Sequence, residues 1–260
     1  VGSKSYCERK GSGSFHYFSL FFRNDAFCLC QFPVSLSIPP CSQVTNLMAL
    51  RRVGNEIDVL RRLSHPGMLR LQHVLHTRKF LYLITDRGGH DLFDFFEVHP
   101  DNVSSAVARK IMMGILNPIA YCHANGVCHR DLKPENVLLQ SSKNPETCEI
   151  DVADVKLCDF GLCEVVEDDQ MLEDFCGSPG FFAPEIVTAK KHDGKKADIW
   201  SVGCILLELT LGHECFSSMW MTAYDYNLLS KPGMFQVIGR KHCLFNRRSQ
   251  SFSAFPSLFI

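Results

Sequence analysis

The strongest constraint on this chain is an ordered series of polar motifs separated by short apolar runs. His129-Arg130-Asp131-Leu132-Lys133-Pro134-Glu135-Asn136 leads directly into Val137-Leu138-Leu139. Val155-Lys156-Leu157-Cys158 then leads into Asp159-Phe160-Gly161, and Ala183-Pro184-Glu185 and Asp198-Ile199-Trp200-Ser201-Val202-Gly203 follow. An isolated Asp or Asn is normally a turn or solvated loop residue. Four motifs in fixed order reverse that reading, because a set is far more specific than any one member.

The flanking sequence supplies a framework for them. Apolar residues at Leu47, Leu50, Ile57 and Leu60 predict a helix within 44–63, with Thr45 or Asn46 as cap and Pro66 as stop. Leu81-Tyr82-Leu83-Ile84-Thr85 predicts a strand ending before Gly88-Gly89. Val107, Ile111, Ile115 and Ile119 mark a helix from about Ser104 to Asn125, closed by Gly126 and containing Pro118, where a kink is expected. Ala197 to Leu211, closed by Gly212, is apolar nearly all round and reads as the buried centre of a helical subdomain.

With this framework in place, the motifs resemble the eukaryotic protein kinase family, confidently from Val44 to Phe216. Lys133-Pro134-Glu135-Asn136 is similar to the serine/threonine type. Phe175-Cys176-Gly177-Ser178-Pro179-Gly180-Phe181-Phe182-Ala183-Pro184-Glu185 is similar to the calmodulin-dependent and Snf-like branch. The resemblance implies an α+β, two-lobed fold and ATP- and Mg²⁺-dependent phosphorylation of Ser or Thr on protein substrates. Phosphoryl transfer depends on positioning and electrostatics, which fits these residue types. By resemblance Asp131 is the base, Lys133 steadies the γ-phosphate, and Asn136 and Asp159 hold Mg²⁺. Thr85 takes the gatekeeper position, and Asp86 to Gly88 offer backbone groups to adenine. Asp91 either reaches the ribose hydroxyls or is a solvated loop acid. Asp198 is expected to accept backbone hydrogen bonds from the His129-Arg130 turn. His129, Phe160 and Leu60 fit an apolar column joining the lobes.

The segment from Asp159 to Glu185 departs from a phosphorylation-switched loop. Between Leu162 and Cys176 there is no Ser, Thr or Tyr, but there are six acids: Glu164, Glu167, Asp168, Asp169, Glu173 and Asp174. Asp174 stands where related kinases carry an activating phosphothreonine. It is expected to present a standing negative charge to Arg130; a solvated acidic loop is the alternative. Ser178 is expected to help position substrate.

The amino-terminal part breaks the pattern. Gly11-Ser12-Gly13-Ser14-Phe15 resembles the start of a glycine-rich phosphate loop, with a flexible Gly/Ser terminus as the alternative. Glu56 is positioned to pair with a phosphate-binding Lys, yet no Lys occurs between Lys10 and Lys79. Residues 15–43 are Phe-rich with Asp25 as the only acid, and 31–43 carry the Phe/Pro/Ser bias of a translated pyrimidine-rich intron end. The organisation expected is a small nucleotide-binding lobe over 1–86 with 15–43 aberrant, a large catalytic lobe over 87–229, and an aberrant or poorly ordered tail over 230–260. The chain opens without Met and reads as a fragment. A catalytically impaired pseudokinase or interaction module is the alternative function.

Composition narrows the partners. Lys and Arg number 27 against 28 Asp and Glu, which gives no electrostatic case for nucleic acid or an anionic membrane. No uninterrupted apolar run reaches the length of a membrane span. The 13 Cys lack paired C-x-x-C spacing, so reduced thiols in a cytoplasmic protein are expected; a monomer is the expected assembly.

Overall fold

The computed structural model describes residues 34–37, 47–76, 81–86, 88–144 and 149–221. Gly11 and Gly13, the candidate caps Thr45 and Asn46, and the tail from 222 onward lie outside the described residues. The chain folds as an α+β structure in which a small antiparallel sheet and one helix sit beside a larger, mainly helical part.

In the smaller part, helix α1 (Leu47–Arg62) ends before Pro66 as the sequence predicts. The sheet has the order β1-β3-β2, with β1 Val34–Ser37, β2 Leu71–His76 and β3 Leu81–Asp86. β1 lies inside the compositionally aberrant segment and pairs with β3 from Val34↔Asp86 to Ser37↔Leu83. Leu83 and Ile84 of β3 are buried, as its apolar run predicts.

The larger part is built on helix α3 (Ser105–Ala124). Its N-cap Ser104 accepts a hydrogen bond from Val107 N, and Gly126 after its end adopts φ +68°, a left-handed conformation that suits glycine. Ile111, Ile115 and Ile119 are fully buried along one face. Removing each such side chain from water contributes about 1.5–3 kcal/mol. The helix continues through Pro118.

Two short elements, β4 (His90–Asp91) and α2 (Leu92–Val98), connect the sheet of the smaller part to this core. β5 (Val127–Cys128) follows α3, and a 3-10 turn over Pro134–Asn136 opens into the long hairpin of β6 (Val137–Lys143) and β7 (Ile150–Leu157). β5 pairs with β8 (Glu164–Val165), with Cys128 opposite Glu164.

The short helix α4 (Pro184–Thr188) precedes α5 (Gly194–Leu211) and α6 (His213–Met219). α5 begins three residues before the expected Ala197, because Asp193 caps Gly194-Lys195-Lys196 by accepting from the N–H groups of Lys195 and Lys196. It ends at Gly212 with φ +82°. Burial is one-sided rather than all round: Ala197, Val202, Ile205 and Leu209 face the core, whereas Ile199 is half exposed. The larger part therefore centres on the packed faces of α3 and α5, not on α5 alone.

Candidate active site

The catalytic-loop residues are placed by one buried carboxylate. Asp198, on the core face of α5, accepts from His129 N through Oδ2 and from Arg130 N through Oδ1, both at 2.8 Å. His123 Nε2 of α3 lies 2.8 Å from Oδ2. Asp198 is 1% exposed, so these partners offset the cost of burying its polar oxygens. They also hold Arg130 at φ +70°, a strained conformation for a residue with a side chain. The expected role of Asp198 in holding the turn matches this geometry.

The His129 ring adds a second tie. Its Nε2 lies 3.1 Å from the Cys158 carbonyl, and its Nδ1 accepts from Asp131 N at 3.3 Å. These partners fix the neutral tautomer with the proton on Nε2. The ring packs against Phe160 at 4.8 Å between centroids, and Phe160 and Leu60 share one buried cluster. The residue before Asp159 is also tied to the loop, because Cys158 N donates to the Asn136 carbonyl at 3.0 Å.

Asp131, Lys133, Asn136 and Ser178 converge. Ser178 Oγ donates to Asp131 Oδ1 at 2.7 Å and accepts from Lys133 Nζ at 3.0 Å. Lys133 Nζ is 3.3 Å from Asp131 Oδ2. Asn136 Nδ2 donates to the Asp131 carbonyl at 2.8 Å, which leaves its amide oxygen as the group to offer a cation. Ser178 comes from a segment 47 residues away in sequence, and the sequence placed it near substrate without its link to Asp131.

Asp159 is exposed and adopts φ +59°, stabilised by Gly161 N donating to its Oδ1 at 3.2 Å. Asn136 and Asp159 thus supply hard oxygen donors of the kind Mg²⁺ prefers, joined through the Cys158–Asn136 backbone link. Two protein ligands are compatible with a cation that retains water and phosphate oxygens, so the donor set fits. Among the described residues, no cluster of three or more His, Cys, Asp or Glu could hold a metal.

The other predicted positions differ in how they are engaged. Thr85 is buried and donates its hydroxyl to the Asp86 carbonyl at 3.1 Å. Asp86 N donates to Arg70 O, and its side chain accepts from Gln72 Nε2, so the N–H of Asp86 is already used. Gly88 packs so closely on Leu138 that an added Cβ would clash with that side chain. Asp91 caps α2 by accepting from Asp94 N at 2.7 Å. Burial raises the Asp91 carboxyl pKa, partly offset by that backbone N–H.

Glu56 carries no ion pair among the described residues. Burial, together with the nearby Asp159 carboxylate, pushes its carboxyl up to about 7. Glu185 also lacks an ion pair among the described residues.

Residues 41–255 match the protein kinase domain family. The chain belongs to the protein kinase family. Among curated relatives of this kinase, CBL-interacting protein kinase 4 of Oryza sativa subsp. japonica is 40% identical over 170 residues, covering 64% of this chain and 35% of the relative. Serine/threonine protein kinase OSK3 of Oryza sativa subsp. indica is 38% identical over 181 residues, covering 69% of this chain and 33% of the relative. The kinase chain spans about a third of the length of these relatives. The name of the second relative agrees with the serine/threonine-type resemblance read from Lys133-Pro134-Glu135-Asn136. No helix among the described residues is long and apolar enough to cross a membrane.

The activation segment contains the residue whose position sequence reading missed. Glu164 accepts from Arg51 Nη2 of α1 through both carboxylate oxygens at 3.2 Å and from Arg130 Nη1 at 3.3 Å. Asp174 is 3.7 Å from Arg130 Nη2 and is 66% exposed on its side chain, against 22% for Glu164. The nearer and better-buried acid is therefore Glu164. The concentration of acids without a hydroxyl residue was the available signal, but only the β5–β8 pairing singles out Glu164.

Proposed function

We propose that this chain catalyses ATP-dependent phosphorylation of serine or threonine on protein substrates, with Mg²⁺ as the divalent cation. The observation that carries this reading is the Asp131–Ser178–Lys133 triangle, closed by contacts of 2.7, 3.0 and 3.3 Å. Asp131 is positioned to receive a proton from a substrate hydroxyl. Its other carboxylate oxygen faces Lys133, whose ammonium balances negative charge on a transferring phosphoryl group. Asn136 and Asp159 would hold Mg²⁺, which supplies charge neutralisation on the phosphates. Gly11, Gly13, Asp86 and Asp91 would contact nucleotide, and Glu56 would face it from α1. The proposed division is a small lobe over 1–86, a large lobe over 87–229 and a tail over 230–260, in a monomeric cytoplasmic protein that acts on protein substrate.

One observation favours a second reading, an impaired kinase or interaction module: Glu56 has no cationic partner among the described residues, and its carboxyl is raised to about 7. The two readings separate in one experiment. The purified chain is incubated with ATP, MgCl₂ and a generic serine/threonine peptide, with Asp131→Ala as control. Transfer by the parent chain and its loss in the variant support catalysis. Mg²⁺-dependent nucleotide binding without transfer supports the second reading.

A further inference from the structure

We infer that Glu164 is a built-in positioning residue that locks helix α1 to the catalytic loop without a phosphate. This rests on the kinase reading above and names how its site is held in place. A cavity of about 180 Å³ lies between α1, the catalytic loop and the activation segment, lined on its charged side by Arg51, Arg52, Arg130, Glu164 and Asp174. Three cations and two carboxylates thus share one small space. Arg130 is 7% exposed on its side chain, and a guanidinium buried to that extent needs an anionic partner. Glu164 meets that need at 3.3 Å while its two oxygens accept from Arg51 at 3.2 Å.

The backbone fixes the carboxylate in advance. Glu164 lies in β8, paired with Cys128 of β5 immediately before His129. The neighbouring Cys163 carbonyl accepts from Asn55 Nδ2 of α1 at 3.2 Å, so two adjacent residues of the segment hold the same helix. A phosphate would have to arrive on a Ser, Thr or Tyr, and positions 163–175 contain none. The negative charge is therefore part of a paired strand rather than an added group. Asp174 contributes at longer range from an exposed position. α1 also carries Glu56, so the bridge sets where that carboxyl sits relative to Asp159.

The bridge is tested in the whole chain with Glu164→Ala, Glu164→Gln, Arg51→Ala, Arg51→Lys and Asp174→Ala. Hydrogen exchange of Leu47–Arg62 and peptide phosphorylation are read in parallel. Glu164→Ala is expected to speed exchange across α1 about tenfold and lower kcat by a similar factor, with KM for ATP within about twofold. Arg51 is exposed, so Arg51→Ala tests the helix side without uncovering Arg130, with an expected effect of about threefold that Arg51→Lys restores. Glu164→Gln is expected to fall between the parent chain and Glu164→Ala, and Asp174→Ala to change exchange by less than about twofold. Exchange within about twofold of the parent in both Glu164→Ala and Arg51→Ala overturns the inference, even if transfer is robust. Exchange that responds as expected in a chain without transfer leaves the bridge standing and removes the catalytic reading.

Discussion

Two side chains at the candidate active site carry predictions that depend on single atoms. Ser178 Oγ is both acceptor for Lys133 and donor to Asp131, so Ser178→Ala removes the bridge and leaves a direct Lys133–Asp131 contact. The expected result is a fall in kcat of about tenfold, with Ser178→Thr close to the parent, measured by steady-state peptide phosphorylation. Glu56 gives a stability prediction with a defined sign. Its carboxyl pKa rises from 4.5 unfolded to about 7 folded, so the folded state holds the extra proton in that interval. Its stability contribution is full below pH 4.5 and is lost as pH rises through about 7. Glu56→Gln should therefore match the parent near pH 4.5 and exceed it by about 3 kcal/mol at pH 8 in urea unfolding. A difference that does not vary with pH would contradict burial of an unpaired acid. Motif order and the kinase resemblance singled out Asp131, Lys133, Asn136, Asp159 and Asp198 as candidates from sequence. Glu164 was not distinguishable, because which of six nearby acids meets Arg130 depends on a strand pairing invisible in composition.

At the scale of elements, legibility followed how openly each boundary was marked. α3 was readable at both ends, from Ser104 at its cap to Gly126 in the left-handed conformation, and its isoleucines kept helical spacing. The start of α5 was hidden because Gly194-Lys195-Lys196 carry no apolar period, although Asp193 caps them. β2 was missed because Leu71-Gln72-His73-Val74-Leu75-His76 alternates poorly and contains a register shift after Leu71. The Asp193 cap is directly testable. Burial raises the Asp193 carboxyl, but the N–H groups of Lys196 and Lys195 and the Lys196 ammonium lower it further, for a net decrease. Asp193→Ala should cost about 1 kcal/mol at neutral pH by denaturant unfolding. That difference should shrink as pH falls through the lowered folded pKa, because a protonated cap accepts less strongly. Asp198→Asn should be more severe, since it places an amide nitrogen opposite backbone donors in the core. A loss of about 3 kcal/mol or more is expected, with phosphorylation abolished as Arg130 leaves its strained conformation. An Asp198→Asn protein with parental stability would show that the turn is held by other contacts.

Across the whole molecule, the proposed small and large lobes would face each other across a nucleotide cleft whose charge is unbalanced. The Asp159 carboxylate adds to burial in raising the Glu56 carboxyl, Asp131 is turned toward Lys133, and Arg130 is occupied by Glu164. Among the described residues, Lys133 is thus the cation at the Asp131 end of this cleft, while no Lys in 11–78 is available to balance Glu56. A triphosphate entering such a site meets carboxylates first, so its binding should depend on a divalent cation more steeply than it would beside an extra lysine. Ligand that binds only the folded state at about 100 times its Kd adds about 2.7 kcal/mol. For a chain of this size that corresponds to a rise in Tm of roughly 5–10 °C. ATP with MgCl₂ should produce a shift of that order in differential scanning fluorimetry, and ATP with EDTA less than about 1 °C. Asp159→Asn should remove most of the Mg²⁺-dependent part, because it deletes a charged oxygen donor, whereas Glu56→Gln should retain it and relieve repulsion. Equal shifts with MgCl₂ and EDTA would place the balance of charge elsewhere. They would also remove Asn136 and Asp159 as the metal-holding pair, because a nucleotide held without cation in this cleft requires a positive group beyond Lys133 and Arg130.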